Sequence, residues 1–346
     1  MTDFSNTFDT SKLGGSAASN REDLTDVLTI LAPEETPILS SANKEKANAT
    51  FVEWTVDSLS TPQTAGIREG ADVSTFTDQF AARARLGNYV QKFRRDYQVS
   101  DLQEAVDSVG PAKIAQAEAK SIRELKRDIE ATLSGSQDRS AENGVVGAGG
   151  TAYALRGLGG WIDSTNTAGG GNADVPDGFK TPAGSVVDVT DADFAESELN
   201  SMITSIFGVT GSSNNLMLVA DTALRKDISD FARISETADK NVRSVNYDGG
   251  SGTIKLSVDL YQSDHGVVSV VNANPDCAPT QAGTAGMQGY LVNPEYYGVH
   301  ELIPMGSTRL PNLGGGERGF VDCALTLGVY HPGAHGKIGS SAIPAS

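Results

Sequence analysis

Four histidines, two cysteines and a glycine-rich turn carry most of the catalytic or metal-binding potential of this chain, and their spacing argues against both uses. Of His265, His300, His331 and His335, only the last two are close, at i,i+4. Two imidazoles share a metal at that spacing when one helix carries both; Pro332 and Gly333 interrupt any helix there. Cys277 and Cys323 make neither a disulfide framework nor a metal cluster and read as two reduced thiols. No G-x-S-x-G elbow presents a serine nucleophile. Gly147, Gly149 and Gly150 in GVVGAGGTA suggest a phosphate loop. The G-x-x-x-x-G-K-[ST] pattern and its strand-before, helix-after setting are missing, so a flexible loop is the better reading. Asp188, Asp191 and Asp193 in DVTDAD do not meet the EF-hand pattern, and helix capping accounts for them. Lys92, Phe93, Arg94, Arg95 and Tyr97 interleave bases with aromatics as single-strand binders do. They sit on a return strand, where cross-strand and intersubunit pairing is the simpler account. Trp54 and Trp161 read as packing anchors. No catalytic, cofactor or metal site is expected.

What remains unusual is geometric. The 346 residues suffice for one large domain or two ordinary ones. Hydrophobic residues make up 38%, enough for a sizeable core, and 38 glycines exceed the usual ~7%, implying long loops and tight turns. No apolar run reaches the ~18 residues of a membrane helix, and the first residues contain no secretory h-region. The net charge of −17 is unlike that of a protein built to grip DNA. It is also uneven: residues 83–139 hold 11 Lys+Arg against 9 Asp+Glu, so this segment and the acidic remainder have opposite signs that would attract across subunits.

The opening MTDFSNTFDTSKLGGSAASN reads as a polar arm, followed by a short amphipathic helix over 21–31 with Leu24, Val27, Leu28 and Leu31 at helical spacing. Residues 49–59 alternate as a strand, and 80–99 form a second extended run. Joined as a hairpin with arms of about 20 residues, they would reach ~60 Å. A lone ribbon of that length is marginal in water and needs cover. A helix over 111–134 follows, with Ile114, Ile122, Leu125, Ile129 and Leu133 in one stripe. Lys120–Glu124 and Lys126–Glu130 are spaced for ion pairs on its polar side, and Gly135 is a natural stop. Residues 191–208 read as a helix with Phe194, Met202, Ile203 and Ile206 inward. LMLVA at 216–220 reads as a buried strand, and Asp221 as the cap of a helix to about Ala232. Strands are expected at 253–261, 266–272, 289–293, 297–304 and 320–332. This order makes the chain α+β.

These landmarks have a precedent. LTDVLTILAPEETPILSSANKEKANATFVEWTVDSL at 24–59, with A-P-x-E-T-P at 32–37 and Glu53–Trp54 on the next strand, resembles the N-terminal region of tailed-phage major head proteins with the Hong Kong 97 capsid fold. REGAD at 68–72 is similar to that family's hairpin tip, SIRELKRDIEATL at 121–133 to its long helix, and LRGLGGWI at 155–162 and LTLGVYHPGAHGKI at 325–338 to later landmarks. The resemblance covers most of the chain in order and is weakest at 163–185 and 235–252. It implies an N-terminal arm at 1–46, an extended E-loop at 47–92 lying on a neighbouring subunit, and a P-domain at 93–185 with its spine helix at 111–134. An A-domain follows at 186–299, and P-domain C-terminal strands at 300–346.

The same resemblance implies a structural protein and not an enzyme. Copies would self-assemble into pentamers and hexamers of an icosahedral shell, formed in the host cytoplasm and residing in the virion as its capsid. Other expected partners are separate scaffolding and portal proteins, a decoration protein, and packaged double-stranded DNA held without sequence preference; no membrane is expected. Trp54, Arg68, Glu69, Arg94 and Arg95 are the expected intersubunit contacts. The competing readings are an encapsulin-like nanocompartment shell, a phage decoration or tail protein, and a hydrolase with its site in the glycine loops.

Overall fold

A computed structural model describes residues 35–73, 76, 78, 80, 82–106, 113–143, 149–162, 175–188, 194–211, 213–230, 259–275 and 289–339. The expected helix at 21–31, Cys277, Asp191, Asp193 and most of the strand at 253–261 lie outside the described residues. The chain runs through α1 (Pro37–Ser41), β1 (Asn43–Lys46), β2 (Phe51–Val56), β3 (Ala84–Tyr89), β4 (Gln91–Val99), α2 (Asp101–Ala105), α3 (Lys113–Ser134) and α4 (Leu158–Trp161). It continues with β5 (Val186–Asp188), α5 (Glu196–Thr210), β6 (Ser213–Ala220), α6 (Thr222–Asp230), β7 (Leu260–Ser263), β8 (Gly266–Asn272), β9 (Gly289–Val292), β10 (Tyr297–Leu310), β11 (Glu317–Val329) and β12 (Gly336–Gly339).

One sheet has the order β1-β10-β11-β4. β10 and β11 form a long antiparallel hairpin from Tyr297↔Val329 to Leu310↔Arg318. β4 pairs on the far side of β11, from Gln91↔Leu325 to Val99↔Glu317. Alternate residues of a strand share a face, so Phe93 and Tyr97 line up with Val321, Cys323 and Leu325 to meet Leu125, Ile129 and Leu133 of α3 in one core. Each such aliphatic side chain contributes ~1.5–3 kcal/mol on full burial. The polar side of α3 is only partly as expected. Lys120 and Glu124 are 3.7 Å apart, but Glu130 does not face solvent with Lys126: it is 2% exposed, because α1 packs over it.

The second sheet has the order β5-β12-β9-β6-β8-β7. α5 and α6 bury Phe194, Leu199, Met202, Ile203, Ile206, Leu224 and Ile228 against it. The Asp221 carboxylate accepts from the Leu224 N–H at 2.8 Å, the cap expected for α6. α5 begins later than expected, and its first turn is closed instead by Glu198, which accepts from the Ala195 N–H at 3.0 Å. β12 belongs to this sheet as well. It pairs with β5 and β9 because Ile338 belongs to this second core.

The segment 155–162 joins the two sheets. Gly157 and Gly159 lie so close to the chain after α3 that a Cβ at either would meet the Gly135 carbonyl oxygen, at 2.2 and 3.2 Å respectively. Tyr290 of β9 donates to the Ser134 carbonyl at 2.7 Å, tying the second sheet to the end of α3.

The ribbon differs most from expectation. Its paired part is short: β2 and β3 match only from Phe51↔Tyr89 to Val56↔Ala84. The run 80–99 is not one strand. It breaks at Val90, after which β4 leaves β2 and joins the four-stranded sheet. Among the described residues between 57 and 83 no strand occurs.

Candidate functional site

The first region of interest is the joint where β1, the ribbon base and the four-stranded sheet meet. Trp54 of β2 stacks at 8° on His300 of β10, with ring centroids 6.4 Å apart. Its other neighbours are Trp161 at 5.6 Å and Tyr330, edge-on, at 6.1 Å. The Tyr330 hydroxyl donates to Glu45 of β1 at 2.7 Å, and His300 Nδ1 lies 3.6 Å from the same carboxylate. Burial lowers the His300 pKa, while Glu45 opposes that shift. Four side chains thus fasten the arm strand and the ribbon base to one edge of the sheet.

A buried amide supports the joint from below. Asn88 of β3 is fully buried. Its Nδ2 donates to the carbonyls of Arg156 and Leu327 at 3.1 and 2.8 Å, and its Oδ1 accepts from the Arg156 N–H at 2.8 Å. The Arg156 side chain in turn lies 4.7 Å over the Trp161 ring and donates to Asp138 at 2.7 Å.

The far part of the ribbon is the opposite in character. Leu59, Ile67 and Phe76 are 99%, 87% and 88% exposed, and Val73 and Phe80 are also exposed. Single exposed apolar residues are ordinary, but a group of them on one extended segment marks an interaction surface. A second exposed group follows β10 past its pairing with β1: Ile303, Met305 and Leu310, with Leu313 beyond.

The expected contact residues divide between these settings. Arg68 and Glu69 are exposed on a turn closed by the Ala71 N–H to the Arg68 carbonyl at 3.1 Å, with Gly70 at φ 78 as such a turn requires. Arg94 is exposed and pairs with Asp96 at 3.0 Å. Arg95 faces the other way and grips Asp128 of α3 with two bonds, at 2.5 and 2.7 Å. Trp54 is held inside its own subunit. Glu130, Asn88, His300 and Glu45 were missed by sequence reasoning. Glu130 sat at an ion-pair spacing that pointed outward, and the others have no local signature.

His331 and His335 have structural partners. His331 Nδ1 accepts from the Gly333 N–H at 3.1 Å across a short helical turn, Pro332–Ala334. His335 is fully buried, accepts from the Asn293 N–H at 3.2 Å, and is held neutral by burial, its pKa pushed down to about 3. Among the described residues no group of three or more His, Cys, Asp or Glu side chains could hold a metal ion. Burial pushes the Cys323 thiol up to about 12, which makes it a poor nucleophile. A shallow cavity of about 310 Å³ beside α2 is lined by Val99, Asp101, Glu104, Ala105 and Glu317, with no Ser, Cys, Lys or His among them. No helix among the described residues is long and apolar enough to cross a membrane.

This set of joints and exposed segments fits comparison with known proteins. The family model described as SU10 major capsid protein matches residues 1–342. Solved phage capsids share the fold. The capsid structure of the cyanophage P-SCSP1u superposes with a TM-score of 0.58 at 10% identity, covering 98% of this chain and 99% of that one. The Mycobacterium phage Bobi chain gives 0.61 at 10% identity, over 96% and 100%. The mature capsid of bacteriophage PhiM1 gives 0.56 at 13% identity, over 99% and 100%. No curated protein matches.

Proposed function

Since the chain belongs to the SU10 major capsid protein family, we propose that its copies form pentamers and hexamers that close as an icosahedral phage head around double-stranded DNA. The family makes it a structural protein of the virion capsid that associates with itself, and not an enzyme. The division into arm (1–46), E-loop (47–92), P-domain (93–185 and the strands after 300) and A-domain (186–299) belongs to this proposal, with β12 assigned to the A-domain sheet.

The observation that carries the reading is the contrast within the ribbon. Its base is anchored in its own subunit through Trp54, Val56 and Leu86. Its far part holds out Leu59, Ile67 and Phe76, each almost fully exposed, and Phe80, whose ring carries only the Arg83 guanidinium over one face among the described residues. An anchored strut with an apolar end binds a neighbour, and a head-to-tail contact of that kind generates rings when its rotation closes. Arg68, Glu69 and Arg94 are the polar contacts to the neighbour. Trp54 and Arg95 act one step back, by fixing the strut and the spine helix that present them. Scaffolding, portal and decoration proteins are the expected partners of the assembled shell.

The test is Ile67→Ser combined with Phe76→Ser. Both side chains are exposed in the subunit, so its unfolding free energy should move by less than about 0.5 kcal/mol, while shells vanish from sedimentation profiles and negative-stain images. Normal shells from the double variant would overturn the reading.

A further inference from the structure

We infer that the solvent-facing ridge of α3, built on Lys120, Arg123 and Lys126, is a contact surface for the phosphate backbone of duplex DNA. The inference rests on the proposal that the shell encloses DNA, and names the part of the subunit that meets it.

α3 sorts its charges by face. The helix carries five cations and four acids, a nearly neutral composition. Three of the acids are turned toward protein. Glu130 is buried under α1, Asp128 is taken by Arg95 of β4, and Glu118 lies 4.0 Å from Arg309 of β10. Three of the five cations go the other way: Lys120, Arg123 and Lys126 are exposed, with Glu124 beside Lys120, whereas Lys113 donates to backbone carbonyls at the end of α2 and Arg127 is half-buried. Helical geometry puts residues 120, 123 and 126 on a common arc about 10 Å long, since each residue rises ~1.5 Å.

Duplex DNA carries one negative charge per ~1.7 Å of axis, so a ridge of that length faces several phosphates. Exposed Ala115 and Ala119 continue the same side of the helix without bulky side chains to hold a backbone away. The net charge of −17 does not forbid the contact. At physiological salt, exposed charges beyond the Debye length of ~8 Å are largely screened, so the local sign decides. A ridge that meets phosphates and does not enter a groove makes a contact indifferent to sequence. No large exposed apolar residue, which a protein partner would need, lies on α3 itself.

The test uses purified full-length subunits before assembly and a fluorescent 30-base-pair duplex of arbitrary sequence, titrated from 50 to 200 mM salt. The triple variant Lys120→Gln, Arg123→Gln, Lys126→Gln should lower the slope of log affinity against log salt by about 2–3, at ~0.9 for each phosphate that is no longer neutralised. A charge-matched control, Lys44→Gln, Lys46→Gln, Lys226→Gln, should keep the wild-type slope. Unfolding and shell formation of the triple variant should match wild type. The proposal is overturned if wild-type subunits do not bind the duplex at 50 mM salt, if both triple variants reduce the slope equally, or if the ridge variant binds DNA normally and fails to assemble, which would make the ridge a protein interface. Duplex binding through the ridge by subunits that never close into shells would sustain this inference and sink the shell reading instead.

Discussion

The carboxylate of Glu130, in the last turns of α3, lies 2.9 Å from the backbone nitrogen of Ile38 and accepts its N–H. Its second oxygen accepts from the Leu39 N–H, also at 2.9 Å. One buried acid thus fastens the segment that leads into the ribbon to the spine helix. Replacing it with Ala strands one buried and one part-buried N–H group, at up to ~1–3 kcal/mol each, so Glu130→Ala should destabilise the subunit by about 2–4 kcal/mol in urea unfolding. Glu130→Gln keeps one acceptor and should cost less than half as much. Limited proteolysis of the alanine variant should open first around residues 35–42.

The same residue gives a pH dependence with a definite sign. Burial raises the Glu130 pKa, and the two backbone bonds only partly oppose it. The folded state therefore takes up a proton more readily than the unfolded chain. The stability so gained is fully present below the unfolded value and is lost as pH rises through the folded one. Unfolding free energies measured across the range from about pH 4 to 7 should show wild type gaining on Glu130→Gln as pH falls. A constant difference would mean that the carboxylate is not the titrating group.

Asn88 satisfies three buried backbone groups at once, on Arg156 and Leu327. Leucine fills its volume without any of these bonds. Asn88→Leu should therefore cost about 3–5 kcal/mol, a sum of unmet polar groups and not of missing packing. Chemical denaturation gives the value, and a cost below about 1 kcal/mol would contradict this account.

Arg94 and Arg95 should behave differently although they are adjacent. Arg95 holds Asp128. Arg95→Glu puts a like charge against that acid and should lower subunit stability by about 1 kcal/mol, the pair being partly exposed and screened. Arg94 has only an exposed partner on its own strand. Arg94→Glu should leave unfolding within about 0.5 kcal/mol of wild type and reduce the yield of shells in velocity sedimentation.

Trp54 ought to respond to size more than to its indole nitrogen. That N–H has no hydrogen-bond acceptor among the described residues. Trp54→Phe should cost about 1 kcal/mol, and Trp54→Ala about 3 kcal/mol through the space opened between Trp161, His300 and Tyr330. Proton resonances of His300 should shift more in the alanine variant, since the stacked ring is gone.

The sequence determined those features that depend on neighbours along the chain. The stripe of Leu125, Ile129 and Leu133 fixed α3, the Asp221 cap and its following apolar spacing fixed α6, and alternation marked β2. Order of elements and family resemblance followed from the same local signals. Tertiary structure alone decided the rest, because the deciding partner is distant in sequence. Glu130 and Ile38 are 92 residues apart and Asn88 and Leu327 are 239 apart. The break at Val90 likewise reflects a choice between β2 and β11 as partner, and β12 joined the second sheet because Ile338 fits that core. A hydrogen bond or a buried face is a property of two surfaces, and one stretch of chain specifies only one of them.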